Sequence, residues 1–263
     1  MNNAKLAIVM CLAVCGAWKA AYAGDEAAPP PAKTGVPGKA VHLFILSGQS
    51  NMGAIKPEVA FLPAVQNAFP NDEVLVAKVT SDGTAIRLWY KDWKPAEEKQ
   101  AVEHPEAATG TVYDRVMDKV RKTLGSKTPT TVTFVWLQGE SDGKAAASGT
   151  PYEESLQGLL TQLRKDLGHD DLNFVIGRIN TFGSKRAAAW PNWEKVRQAQ
   201  VKVAESSERG AWVDLDDLGE GLHYPKEAYE TIAERFAEKA IALVKATPSA
   251  STKARDKPHG RVP

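Results

Sequence analysis

The strongest constraint on this chain is a set of five short apolar runs that are continuous and not alternating: Val41–Ser47, Glu73–Val79, Thr131–Leu137, Leu172–Gly177 and Ala211–Leu215. A strand with one wet face alternates apolar and polar residues, whereas a strand covered on both faces reads as an unbroken apolar run. The segments between the runs carry the helical period. Thr111–Leu124 places Val112, Val116, Val120 and Leu124 four apart, and Tyr152–Leu167 brings Leu156, Leu159, Leu160 and Leu163 to one side. Asn192–Ser207 follows the fourth run. Pro225–Val244, with proline at its first helical position, presents Tyr229, Ile232, Phe236 and Leu243 on one face. Strands alternating with helices predict a three-layer α/β/α sandwich around a five-stranded parallel sheet. The stretch 51–72 lacks a clean period, so the first crossover is left undefined.

The two ends of the chain differ from this core. Residues 1–23 (MNNAKLAIVMCLAVCGAWKAAYA) combine a basic start at Lys5, an apolar run from Leu6 to Ala17 and the small-residue pattern Ala21-Tyr22-Ala23. That is the layout of a cleavable signal peptide, and the apolar run is too short for the roughly 20 residues of a membrane span. Gly24 to Pro37 reads as a Pro/Ala-rich linker, the core as 38–246, and the polar segment 247–263, net charge +3, as a disordered tail. Composition now has a use. The formal charge of +1 comes from 33 basic and 32 acidic residues, and removal of Lys5 and Lys19 with the leader leaves 31 against 32, about −1. No overall field selects nucleic acid or an anionic membrane. The two cysteines, Cys11 and Cys15, leave with the same segment. Cysteine catalysis, thiolate metal sites and disulfides are then excluded in an exported, periplasmic or secreted chain with no stable membrane insertion.

Ligands on an open parallel sheet bind beyond the carboxyl ends of the strands. Past the first run stands Ser47-Gly48-Gln49-Ser50-Asn51-Met52-Gly53, and past the second Ser81-Asp82-Gly83-Thr84. Past the third stands Gln138-Gly139-Glu140-Ser141-Asp142, and past the fifth Glu220-Gly221-Leu222-His223. Serine, histidine, an acid and glycine-flanked amides are the parts that acyl transfer needs. Taken alone, Ser50 suits a helix N-cap as well as a nucleophile, and the spacing is not that of a G-x-S-x-G elbow. Of five histidines, His223 alone joins a post-strand loop to a nearby acid; His42 lies in a strand, and His104, His169 and His259 in polar segments. No His/Asp/Glu cluster has metal-ligand spacing.

These blocks, together with Asp82-Gly83-Thr84-Ala85-Ile86 ahead of Trp89, with Trp136-Leu137 before Gln138, and with the late His223 before a terminal helix, resemble the SGNH hydrolase superfamily, whose fold is flavodoxin-like. They are most similar to its sialate O-acetylesterase and acetylxylan-esterase-like branch of carbohydrate esterases, and Trp193-Glu194-Lys195-Val196-Arg197-Gln198-Ala199-Gln200 resembles a helix of that branch. The resemblance spans about residues 41–244. It implies Ser50 as nucleophile, His223 as general base, and the N–H groups of Ser50 and Gly83 with the side chain of Gln138, or else Ser141, as oxyanion donors. It implies an acid three residues before the histidine, where this chain has Glu220 and not aspartate; Asp216 or Asp217 are the alternatives. Gln49, Asn51, Glu140 and Trp89 are expected near the substrate; the aromatic faces of Trp89, Tyr90 and Trp93 suit either a sugar-stacking platform or ordinary packing, and Trp136 suits the core.

The expected function is an exported serine esterase that removes O-acetyl groups from carbohydrates, with no metal or organic cofactor. An acetylated carbohydrate is the expected partner, nucleic acid is not, and the oligomeric state is open. An esterase or lipase acting on other small acyl esters, and a non-catalytic carbohydrate-binding protein on the same fold, are the alternatives.

Overall fold

The computed structural model describes residues 39–94, 109–144 and 150–246. The expected leader, linker and tail, and His104 and His259, lie outside the described residues. Five strands form one parallel sheet in the order β2-β1-β3-β4-β5: β1 Val41–Gly48, β2 Glu73–Thr80, β3 Thr131–Leu137, β4 Asn173–Gly177 and β5 Gly210–Val213. The two helices expected at Thr111–Leu124 (α3) and Tyr152–Leu167 (α5) have those bounds. The next, α6, runs Trp193–Glu205, and the last, α7, Ala228–Ala246. Pro225 does not start α7. It lies in a turn whose carbonyl accepts the Ala228 N–H at 3.0 Å, so the helix begins three residues later than its proline suggests. The undefined first crossover holds two short helices, α1 Ser50–Ala54 and α2 Phe61–Ala68, and α4 Glu140–Lys144 follows β3.

The continuity of the apolar runs has its cause in two cores, one on each face. Leu43 and Ile45 of β1 and Val132, Phe134 and Trp136 of β3 point into a core with α3 and α5. Phe44 and Leu46 of β1 and Val135 and Leu137 of β3 point into a second core with α2 and α7. Each of these side chains is essentially fully buried, which is worth roughly 1.5–3 kcal/mol per side chain. This double burial holds the strand ends, and therefore the loops beyond them, in fixed register: Gly48 lies opposite Leu137 on one side and Thr80 on the other.

Candidate active site

The chain leaves β1 in a turn so close to β3 that a side chain at Gly48 would place its Cβ 1.9 Å from the Leu137 carbonyl oxygen. Glycine is required there by contact as well as by its φ of +153°. The next residue, Gln49, donates its N–H to that same Leu137 carbonyl at 3.1 Å. The turn then sets Ser50 at the first position of α1. The loop after β5 brings His223 to it across 173 residues of sequence: Ser50 Oγ lies 2.9 Å from His223 Nε2. His223 is exposed and Ser50 partly so, which leaves both open to a substrate. The loop with Gly83 is tied to the same edge by the Ser81 N–H on the Gly48 carbonyl at 3.0 Å, and Gly83 itself is exposed.

Beneath this pair lies a buried polar layer. Asn51 donates to Glu140 Oε1 at 2.5 Å and to the Leu222 carbonyl at 3.1 Å, and accepts from the Tyr229 hydroxyl at 3.0 Å. Gln138 is fully buried, and its amide donates to Asp142 Oδ2 at 2.6 Å, to the Thr84 carbonyl at 3.0 Å and to Gln49 Oε1 at 3.3 Å. The Ile86 N–H also reaches Asp142, at 3.0 Å. Burial pushes the Glu140 carboxyl above the usual carboxylate range, partly opposed by the Asn51 hydrogen bond. Burial likewise raises Asp142 to about 6 against the pull of Gln138 and the Ile86 N–H.

This layer corrects several expectations. Gln138 is not aimed at the site as an oxyanion donor, because its N–H groups are already spent on Thr84, Asp142 and Gln49; it braces the β2 loop instead. Ser141 is buried, and its N–H faces Gln49 at 3.4 Å. Gln49, Asn51, Glu140 and Trp89, expected against substrate, are all under 5% exposed. They form the floor of the site and not its walls. Trp89 packs edge-on against Trp136 with ring centroids 5.1 Å apart, and its indole N–H donates to Ser47 Oγ at 3.0 Å.

The acid is also displaced from its expected role. Glu220 extends into solvent, 86% exposed, and its carboxylate pairs with Lys185 at 3.4 Å. Asp216 is held by both amino groups of Arg197 at 2.9 Å and by Arg178 at 2.7 Å. Asp217 is gripped by Arg235, which holds its carboxyl below the usual range. Among the described residues His223 therefore has one hydrogen-bond partner, Ser50, and no carboxylate. No group of three or more His, Cys, Asp or Glu among the described residues is placed to hold a metal ion.

Sequence reasoning passed over the loop that leaves β4, although the rule that singles out the other four post-strand loops applies to it equally. That loop carries Asn180, Phe182, Arg186 and Trp190. Asn180 donates to the Gly221 carbonyl at 2.8 Å. Trp190 stacks on buried Trp193 at 5.3 Å, with Phe182 at 5.4 Å, and Leu222 packs on the same cluster beside His223. Lys144 and Arg186 lie over the Trp190 ring at 5.1 and 5.6 Å. The half-buried Trp190 is thus an aromatic surface of the β4 loop, joined to the His223 loop through Leu222, whereas Trp89 is core.

Comparison with known proteins places this arrangement. A family described as "Carbohydrate esterase, sialic acid-specific acetylesterase" matches residues 53–242. No curated protein matches the sequence. Among solved structures, a protein from Arabidopsis thaliana is similar at 21% identity and a TM-score of 0.55, covering 78% of this chain and 98% of its own. A carbohydrate acetylesterase from Xanthomonas citri is similar at 14% identity and 0.57, over 78% of this chain and 56% of its own. NanS is similar at 13% identity and 0.54, over 79% and 98%. These structures share the fold, and the family match covers most of the described chain. The two-sided parallel sheet with a serine at the end of its first strand and a histidine after its last is thus a carboxylic ester hydrolase fold, and the chain belongs to the carbohydrate esterase family of sialic acid-specific acetylesterases.

Proposed function

We propose that this protein is an exported serine esterase that removes O-acetyl groups from carbohydrates through an acetyl-enzyme on Ser50. The observation that carries the reading is the 2.9 Å approach of Ser50 Oγ to His223 Nε2 at the carboxyl edge of the sheet. That distance lies within the reach a general base needs to take a hydroxyl proton. With its proton on Nδ1, the imidazole accepts the Ser50 proton at Nε2 as Oγ attacks the acetyl carbonyl. The N–H groups of Ser50 and Gly83 stabilise the oxyanion. His223 then returns the proton to the departing sugar hydroxyl, and a water activated by the same nitrogen cleaves the acetyl-enzyme to acetate and restores Ser50. Trp190 offers its ring to the apolar face of a pyranose. The leader-like residues 1–23 support export.

Hydrolysis of a chromogenic acetate ester by the wild-type protein and by Ser50→Ala tests the chemistry. A rate that falls by at least about a thousandfold in the variant is expected, since the nucleophile is the centre of the mechanism. Equal and negligible rates in both would favour the non-catalytic alternative. Release of acetate from acetylated sugars, compared with release of longer acyl groups, separates a carbohydrate acetylesterase from an esterase acting on other acyl esters.

A further inference from the structure

A base that lacks a carboxylate partner must be oriented by something else, and the loop that carries His223 shows what holds it. The loop is folded tightly on itself: a Cβ at Gly221 would lie 2.8 Å from the carbonyl oxygen of His223. Its outward carbonyls meet two buried side-chain amides. Asn180 donates from Nδ2 to the Gly221 carbonyl at 2.8 Å and lies 3.4 Å from that of Gly219, and Asn51 donates to the Leu222 carbonyl at 3.1 Å. The Asn180 amide has one orientation only, because its Oδ1 accepts the Phe182 N–H at 3.0 Å and so turns Nδ2 towards the carbonyls.

Asn180 is itself anchored by α6. Trp193, Arg197 and Gln200 stand at i, i+4 and i+7, which is one face of a helix. The Trp193 indole N–H donates to the Asn180 carbonyl at 2.7 Å, Arg197 donates to the Ile179 carbonyl, and Gln200 Oε1 accepts the Ile179 N–H at 2.9 Å. Arg197 simultaneously holds Asp216, where the segment leading to His223 begins. This face of α6 has no part in the acyl-transfer steps, and its bonds converge on Ile179 and Asn180.

We propose that Asn180 is a positioning residue for His223: it fixes the backbone of the Gly219–His223 loop, together with Asn51 from the nucleophile side, and thereby aims Nε2 at Ser50. The α6 face locks Asn180 in place. The loop backbone then supplies the orientation that a carboxylate on Nδ1 supplies in a Ser-His-acid triad. The proposal rests on the assignment of Ser50 and His223 as nucleophile and base.

Asn180→Ala and the isosteric Asn180→Asp test it, the second by turning an acceptor towards two carbonyl oxygens. On a chromogenic acetate ester, kcat is expected to fall on the order of 10- to 100-fold in Asn180→Ala and at least as far in Asn180→Asp, because misplacement of about 1 Å carries losses of that size. KM is expected to stay within about threefold, since the substrate's own contacts are kept. The ¹⁵N NMR signals of the His223 imidazole are expected to move from those of a ring hydrogen-bonded at Nε2 towards those of a free, tautomerically averaged ring. Wild-type kcat in Asn180→Asp, or a loss that merely tracks the unfolded fraction seen by circular dichroism, overturns the proposal. If the wild-type protein itself does not hydrolyse acetate esters, the functional reading fails, and the His223 signals still decide: unchanged signals in Asn180→Ala refute the positioning role, and altered ones support it.

Discussion

Glu220 directs its carboxylate to Lys185 at 3.4 Å and away from His223, although it stands three residues before that histidine. Both partners are largely exposed, and an ion pair of that kind is worth about 0–1 kcal/mol. Glu220→Gln is therefore expected to change kcat/KM for an acetate ester by less than about threefold and to leave the melting temperature essentially unmoved. Steady-state kinetics of the single variant suffice. A loss approaching the roughly 10⁴-fold that removal of a triad acid costs would mean that Glu220 swings onto His223 during turnover.

Gln138 makes a different kind of contribution from the one its position in the sequence implies. Replacing it with alanine takes from Asp142 its shorter hydrogen bond, leaving that from the Ile86 N–H, and removes the side-chain donor on the Thr84 carbonyl; losses of this sort cost about 1–3 kcal/mol. In a domain of this size each kcal/mol moves the melting temperature by roughly 2–4 °C. Gln138→Ala is expected to lower both the melting temperature, by several degrees, and kcat, because the displaced loop carries Gly83. Calorimetry alongside kinetics separates this from direct oxyanion binding, which predicts a loss of about 10²–10³ in kcat at unchanged stability.

The fold was legible because burial on both faces of the sheet leaves an uninterrupted apolar signature in each strand, and α3 and α5 keep one apolar stripe. Ser50 and His223 were legible because each follows a strand end, where parallel sheets assemble their sites. Local pattern does not report which way a side chain turns. Gln49, Gln138 and Glu140 stand in the right loops but point down into the polar floor, and Glu220 points out to solvent. Asn180 escaped because an asparagine after β4 has no chemistry of its own; its role appears only when the carbonyls of Gly219 and Gly221 come to meet it. The start of α7 escaped because proline suits both a first helical position and the turn before it.

Trp89 and Trp190 exchange the roles that proximity to the motifs suggests. Trp89 is buried against Trp136, so Trp89→Ala is expected to destabilise the protein by about 3–5 kcal/mol, the range for removing a large aromatic from a core. Trp190→Ala is expected to leave chromogenic acetate hydrolysis nearly unchanged while raising KM on acetylated sugars several-fold, the cost of one aromatic contact of about 0.5–1.5 kcal/mol. Chemical denaturation and paired assays on the two substrates check both statements. Equal effects of Trp190→Ala on the small ester and on the sugar would remove it from the carbohydrate contact surface.

Asp142 should make the fold less stable as pH rises through the weakly acidic range. Its carboxyl is raised from an ordinary 3.8 to about 6 in the folded protein, chiefly by burial. Between those two values the native state binds more protons than the unfolded chain, and stability then falls with increasing pH. The contribution is fully present below about 3.8, is lost as pH climbs to about 6, and is constant above that. Glu140, raised by burial in the same direction, adds to the trend. Asp142→Asn removes the titration while keeping the side chain's size and one acceptor. Whatever its stability at pH 4, the variant is expected to gain on the wild type as pH rises through about 6 and to gain nothing further beyond pH 7. Melting temperatures of both proteins at half-unit steps from pH 4 to pH 8 give the difference directly. A difference that is flat across the window would show that Asp142 ionises like an exposed carboxylate and that the polar floor beneath Ser50 is wetter than its packing indicates.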